Sequence, residues 1–252
     1  MMDKVSDLKV VYRDPYKVVI ISLLILAIIN LNFSAGLDSL TSVLIVVLSS
    51  VLTDSLASYI MLKRTYISET AIISGLILSL VISPGTPIVW LVLAPALAQI
   101  SKHIIRYKNK PVFNPAGFGM FLVFLFFFNG ESWWGNSMVV ATIILGLHVS
   151  YRIMRISASL SFLGSIIIFT IIKDLIISGS IGIESAVTVA LSQVFLALFM
   201  IVEPKSSTIR KDGQVICGIT AGLVLVLGYV LNLPIPPLLG LLCANIVATR
   251  YK

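Results

Sequence analysis

Charge is what this sequence has least of. Only 12% of its 252 residues are Asp, Glu, Lys or Arg, against about 25% in soluble globular domains. With 58% hydrophobic residues and a mean hydropathy of +1.05, an ordinary water-soluble fold is excluded. Cysteine is scarce too. Cys217 and Cys243 lie in apolar stretches without CxxC spacing and read as small core residues. Two thiolates alone do not complete a metal or iron–sulfur site. HExxH, GxSxG, Walker and GxGxxG patterns are absent, so no soluble-enzyme motif competes, and no catalytic or metal-ligating residue is assigned.

Apolar runs fill the space that charge leaves. They count off as about ten helices, over 18–35, 39–60, 70–83, 87–105, 115–129, 137–150, 157–177, 184–202, 214–231 and 234–249. Ten spans of ~20 residues use roughly 200 positions, which leaves no room for an extramembrane domain. The expected organisation is therefore a tail over 1–17 and a single integral membrane domain over 18–252, embedded in a lipid bilayer. The tail is polar and mixed in charge, and the run after it lacks a small-residue cleavage site, so no cleavable signal is expected.

Of the 18 Lys and Arg residues, all but Lys173 then fall in the tail and in every second connection. The positive-inside rule requires this pattern if both termini are cytoplasmic in the plasma membrane. Topology and anionic headgroups account for the net charge of +7 better than nucleic acid does, and no nucleic-acid partner is expected. The three tryptophans, Trp90, Trp133 and Trp134, are expected in an external aromatic belt. Ten spans also permit a five-plus-five inverted repeat.

Two runs are short for a bilayer. Residues 70–83 end at Ser83-Pro84-Gly85-Thr86-Pro87, and 115–129 begin at a proline. Half-length helices persist at membrane depth where they are buried in protein or line a cavity, and transporters build substrate sites from them.

Few residues are available for chemistry. Asp54 is the acidic residue clearly inside a span. An ionised Asp there costs about 2.5–3.5 kcal/mol on insertion scales, so it faces a cavity, pairs with a cation, is protonated or reaches water. Lys173-Asp174 read as a local interface pair. His103 and His148 lie at helix ends, where imidazole caps terminal carbonyls. In Lys110-Pro111-Val112-Phe113-Asn114-Pro115-Ala116-Gly117-Phe118-Gly119, Pro115 suits a first helical turn. Small residues after it admit a close backbone or a flat ligand. In Met200-Ile201-Val202-Glu203-Pro204-Lys205-Ser206-Ser207-Thr208 an acidic residue before proline ends a helix.

Together these strings resemble the RnfD/NqrB membrane family, whose members belong to the Rnf complex and to the sodium-pumping Nqr complex. The resemblance runs through Asp54, the Ser74–Leu80 string with its Ser-Pro-Gly-Thr-Pro turn, Lys102, and Phe113-Asn114-Pro115-Ala116 followed by Gly119. It resumes at Phe199-Met200, Glu203-Pro204, Gly213 and 218–227. It implies a ten-helix bundle similar to urea transporters, other membrane subunits of such a complex as partners, and electron transfer through flavins coupled to Na⁺ or H⁺ movement. By the same resemblance, Gly75, Asn114, Pro115 and Gly119 shape a flavin or helix-packing site, and Asp54 and Glu203 stand on a cation pathway. The family attaches FMN to the Thr of a Ser-Gly-Ala-Thr motif. The corresponding connection, Asn129-Gly130-Glu131-Ser132-Trp133-Trp134-Gly135-Asn136, has no threonine. Covalent FMN is therefore not expected, and a flavin (FMN or riboflavin) would be bound non-covalently or supplied by a partner. The competing reading is a stand-alone transporter or channel for a small solute, flavin included, on the same bundle.

Overall fold

A computed structural model describes residues 14–34, 37–63, 67–126 and 132–251. Within them lie ten α-helices: α1 (Pro15–Ser34), α2 (Leu37–Leu62), α3 (Glu69–Val81), α4 (Ile88–Ile104), α5 (Pro115–Phe126), α6 (Val139–Arg152), α7 (Ile156–Ser178), α8 (Ile183–Ser192), α9 (Lys211–Val230) and α10 (Pro236–Ala248). The described residues are all-α apart from a small hairpin, β1 (Arg106–Tyr107) with β2 (Lys110–Pro111). Most of the tail expected over 1–17 lies outside the described residues.

Each helix occupies the stretch expected for it, but length separates them. Those at Pro15–Asn32, Ser39–Met61, Ile156–Ser178 and Lys211–Val230 are long and apolar enough to cross a membrane. The other six are shorter. The 13 residues of α3 and 12 of α5 rise only about 18–20 Å, against a hydrocarbon core of about 30 Å. Ten expected spans thus become four helices of spanning length with six shorter ones lodged among them.

The long helices are apolar outward and polar inward. On α2, Leu44, Leu48, Leu52 and Leu56 form an exposed stripe, while Val46, Ser50, Asp54 and Ser58 at the same spacing of four are buried. Residues four apart share a helix face, so one face meets lipid and the other holds the helix's polar groups within protein.

The short α3 needs its C-terminal end covered, and residues 132–138 do this. Ser132 donates its N–H to Val81 O at 3.0 Å, and the Trp134 indole N–H is shared between Ser79 O at 2.7 Å and Ile82 O at 3.1 Å. Trp134, expected in an external belt, is instead 6% exposed. Its one donor answers carbonyls that a helix end leaves open, which outweighs an interfacial seat. Beyond α3, Gly85 has a φ of 83° in the Pro84-Gly85 turn, the left-handed position at which glycine is required.

A second break follows α8. After Gln193 the chain widens into a π-helical turn, Leu196–Met200. Ser159 Oγ donates to Ala197 O at 2.7 Å, Ser150 Oγ to Leu198 O at 3.1 Å and Asn114 Nδ2 to Met200 O at 2.9 Å. Three other elements therefore satisfy carbonyls of this turn, as burial demands.

Packing recurs with a shift of five helices. In the first half the extensive contacts are α2 with α4, α4 with α5, α2 with α3 and α1 with α3. In the second they are α7 with α9, α9 with α10, α7 with α8 and α6 with the π-turn. The halves meet where α1 packs on α6 and α5 on α10.

Candidate functional site

Polar side chains run along the buried contact of α2 with α4. Ser50 Oγ donates to Ala71 O at 2.7 Å and accepts from Gln99 Nε2 at 2.8 Å. One turn along α2, Asp54 Oδ1 meets Lys102 Nζ at 2.6 Å and His103 Nε2 at 2.8 Å. Asp54 is 1% exposed and Lys102 8%. The helical period explains the register: 50, 54 and 58 lie on one face of α2, and 99, 102 and 103 on one face of α4. Three oxygens on this seam, Asp54 Oδ2, Ser58 Oγ and Gln99 Oε1, have no hydrogen-bond partner among the described residues.

The seam ends below a basic surface where the 104–114 and 203–210 connections meet. Thr70 Oγ1 receives Lys102 Nζ and Lys205 Nζ, each at 3.3 Å, and lies 2.7 Å from Ser68 Oγ. A hydroxyl has two acceptor lone pairs and one proton. Two ammonium donors fill the lone pairs, so Thr70 donates to Ser68. Glu203 Oε2 accepts from Ser206 N–H at 2.8 Å and Ser206 Oγ at 2.5 Å, which closes the turn after the π-helix. Arg155 donates to Ile153 O at 2.9 Å and Pro204 O at 3.1 Å. Burial pulls its guanidinium below the usual pKa, and nearby Glu203 opposes that shift.

The residues singled out from the sequence fall into three places. Asp54 is on the seam and pairs with a cation. Glu203 is at the same end, engaged with its own turn. Asn114, with Pro115 opening α5, sits where the broken elements cross. Its Oδ1 accepts from Gly117 N–H at 3.0 Å as an N-cap, its N–H donates to Asn245 Oδ1 at 2.7 Å, and its Nδ2 holds Met200 O. Gly75 and Gly119 are close-approach positions. A Cβ on Gly75 would stand 2.9 Å from Val47 Cα, and one on Gly119 would collide with Ala94 O and Ala98. Both glycines therefore let neighbouring helices approach closely. Residues 129–131 of the connection compared with the FMN-attachment motif lie outside the described residues.

The two histidines were expected to cap helix ends. His103 is bonded to Asp54 instead, because the four-residue step from Gln99 turns it onto the seam. Lys173 and Asp174 do pair, at 2.8 Å, and Ser185 bonds the same carboxylate. Sequence reading missed Thr70 and Gln99, and gave Lys205 and Trp134 no part in these contacts. The signal for Gln99 and its neighbours was there, since Gln99, Lys102 and His103 repeat at i, i+3 and i+4 within an apolar run.

Residues 12–142 match the NQR2, RnfD, RnfE family. The chain belongs to this family. It is thereby a membrane protein of the kind found among the subunits of Rnf- and Nqr-type complexes. No curated protein matches it. The matched stretch covers α1 to α5 and the start of α6, and so contains the whole α2–α4 seam, Thr70 and Asn114. Glu203, Lys205 and the π-turn lie beyond it.

Proposed function

We propose that the chain is a membrane component of an Rnf/Nqr-type electron-transport complex in the plasma membrane, and that it contributes to redox-coupled cation movement. One observation carries this reading: the family match falls on the half of the bundle that holds a buried, incompletely satisfied ionic seam. Both termini face the cytoplasm, since the basic connections gather at one end and positive loops stay inside.

The seam suits a proton better than Na⁺. A metal ion at Asp54 would have to displace the Lys102 ammonium at 2.6 Å. His103 lines the basic cavity and bonds Asp54 at once, and an imidazole takes up a proton on one nitrogen and releases one from the other. Leaving a buried polar group unsatisfied costs about 1–3 kcal/mol. Asp54 Oδ2, Ser58 Oγ and Gln99 Oε1 therefore favour the entry of water, which carries a proton onward. A flavin held without a covalent bond would supply the electron transfer to which such proton movement is coupled.

The experiment is the flavin content of the chain purified in mild detergent from its own membranes, read by absorbance and mass spectrometry before and after denaturation. Flavin released on denaturation, with redox proteins co-purifying, is the expected result. A colourless, partner-free, folded protein would defeat the proposal. It would favour the second reading, a stand-alone solute transporter, for which the recurrence of packing between the two halves speaks. Solute flux into proteoliposomes of the chain alone would establish that reading.

A further inference from the structure

We propose that the basic end of the bundle carries a binding site for a phosphate group, borne by a soluble phosphomonoester or by an anionic phospholipid headgroup. The site is a cavity of about 350 Å³. Lys102, His103, Arg106, Lys110 and Lys205 line it, and Tyr16 borders it. A neighbouring cavity of about 310 Å³ shares Tyr16 and Lys205 and reaches Thr70.

Three features distinguish this cavity from an ordinary positive face. First, its charges converge. Lys102 and Lys205 both donate to the single Thr70 hydroxyl, so two ammonium groups are held within reach of one point and repel each other. Lys102 is 8% exposed, so water screens that repulsion poorly. Second, the convergence is under-neutralised. Among the described residues Asp54 pairs with Lys102; Glu69 stands on the wall of the neighbouring cavity and Glu203 is close enough to act on Lys102, but neither they nor any other carboxylate forms an ion pair with Lys205, Arg106 or Lys110. Three other cations among the described residues are occupied elsewhere. Arg155 holds backbone carbonyls, Arg210 pairs with Asp212 at 2.7 Å, and Lys63 lies over the Tyr59 ring.

Third, the hairpin holds its groups in place. Lys108 and Asn109 have φ of 46° and 65°, a two-residue turn of the tight left-handed kind. Arg106 NH2 bonds Asn109 O at 2.6 Å across it. One donor of the guanidinium is thus fixed, and the rest of its planar fork remains for an anion. Ammonium groups opposite a guanidinium fork are the donors that phosphate oxygens take. The site is defined by this cavity whether or not a flavin binds the protein.

The test uses the full-length protein in phosphatidylcholine nanodiscs, with thermal melting read by intrinsic fluorescence against inorganic phosphate and against chloride at equal ionic strength. In parallel, native mass spectrometry reads the lipids retained from discs of mixed phosphatidylglycerol and phosphatidylcholine. A saturable rise in melting temperature with phosphate supports the site and a soluble ligand. Retention of phosphatidylglycerol without a phosphate effect supports the site and a lipid ligand. In either case Lys205→Gln weakens binding by about tenfold or more. If Lys205→Gln does not fold, Lys110→Gln on the exposed hairpin gives the same readout. The proposal is overturned if phosphate acts as chloride does and phosphatidylglycerol is not preferred. Binding that both variants leave unchanged overturns it equally.

Discussion

Between α2 and α4 the interior is ionic and only partly satisfied, whereas between α7 and α9, the equivalent pair of the second half, it is closed by small residues. A Cβ on Gly218 would stand 2.6 Å from Ala158 O, and one on Gly222 would strike Ser165. Ser165 itself is satisfied by Phe162 O at 2.8 Å. The same helix arrangement is thus closed by backbone contact in one half and lined by an Asp–Lys–His cluster in the other. Close small-residue packing needs no charge and is what a membrane bundle uses for cohesion. A buried ion pair is poor evidence for stability, since apolar groups of like volume often serve as well. Its presence at α2–α4 points to work done there, and the family match falls on that half.

The contrast between the halves is broken most visibly at Asp54. Asp54→Ala leaves Lys102 buried without its carboxylate and costs about 3–5 kcal/mol, read as a large fall in melting temperature in detergent. Asp54→Asn combined with Lys102→Met removes both charges and returns to within about 1 kcal/mol of the parent protein. A double variant as unstable as Asp54→Ala would show that the pair holds the fold after all. On the other side, Gly218→Leu forces α7 and α9 apart at a cost of about 1–3 kcal/mol, seen by size-exclusion and melting. Trp134→Phe removes the indole donor that serves Ser79 O and Ile82 O. It costs about 1–2 kcal/mol, without changing the α2–α4 seam. The smallest effect is expected on the lipid face, where Leu52→Ala shifts stability by less than about 0.5 kcal/mol.

Much of this was legible in one sequence, and the boundary is physical. Ten apolar stretches became ten helices because hydrophobic run length and Pro or Gly punctuation are local signals. Asn114-Pro115 opened a helix as its chemistry requires. Asp54 announced itself because an acid in an apolar run has to be compensated. Which cation compensates it was not visible, since Lys102 and His103 lie 48 and 49 positions away and meet Asp54 only through the α2–α4 register. The shortness of 70–83 and 115–129 was visible, but that four further runs also stop short of spanning length was not, because hydropathy does not distinguish lipid from a protein interior. A 13-residue helix roofed by Trp134 is as apolar as a spanning one. The π-turn at Leu196–Met200 left no mark that periodicity could read, because its carbonyls are answered by Asn114, Ser150 and Ser159 from distant elements.

Whether the ionic seam works while the small-residue seam only holds is tested by comparing the two halves in function, with stability held constant. Redox-driven proton uptake would be followed in inverted membrane vesicles carrying the assembled complex, with donor oxidation recorded in parallel. The variants are Asp54→Asn/Lys102→Met in the first half and Ser165→Ala in the second. The first is expected to assemble and oxidise donor but to lose proton uptake, while the second retains both. Proton uptake undiminished in Asp54→Asn/Lys102→Met would contradict a proton path through Asp54.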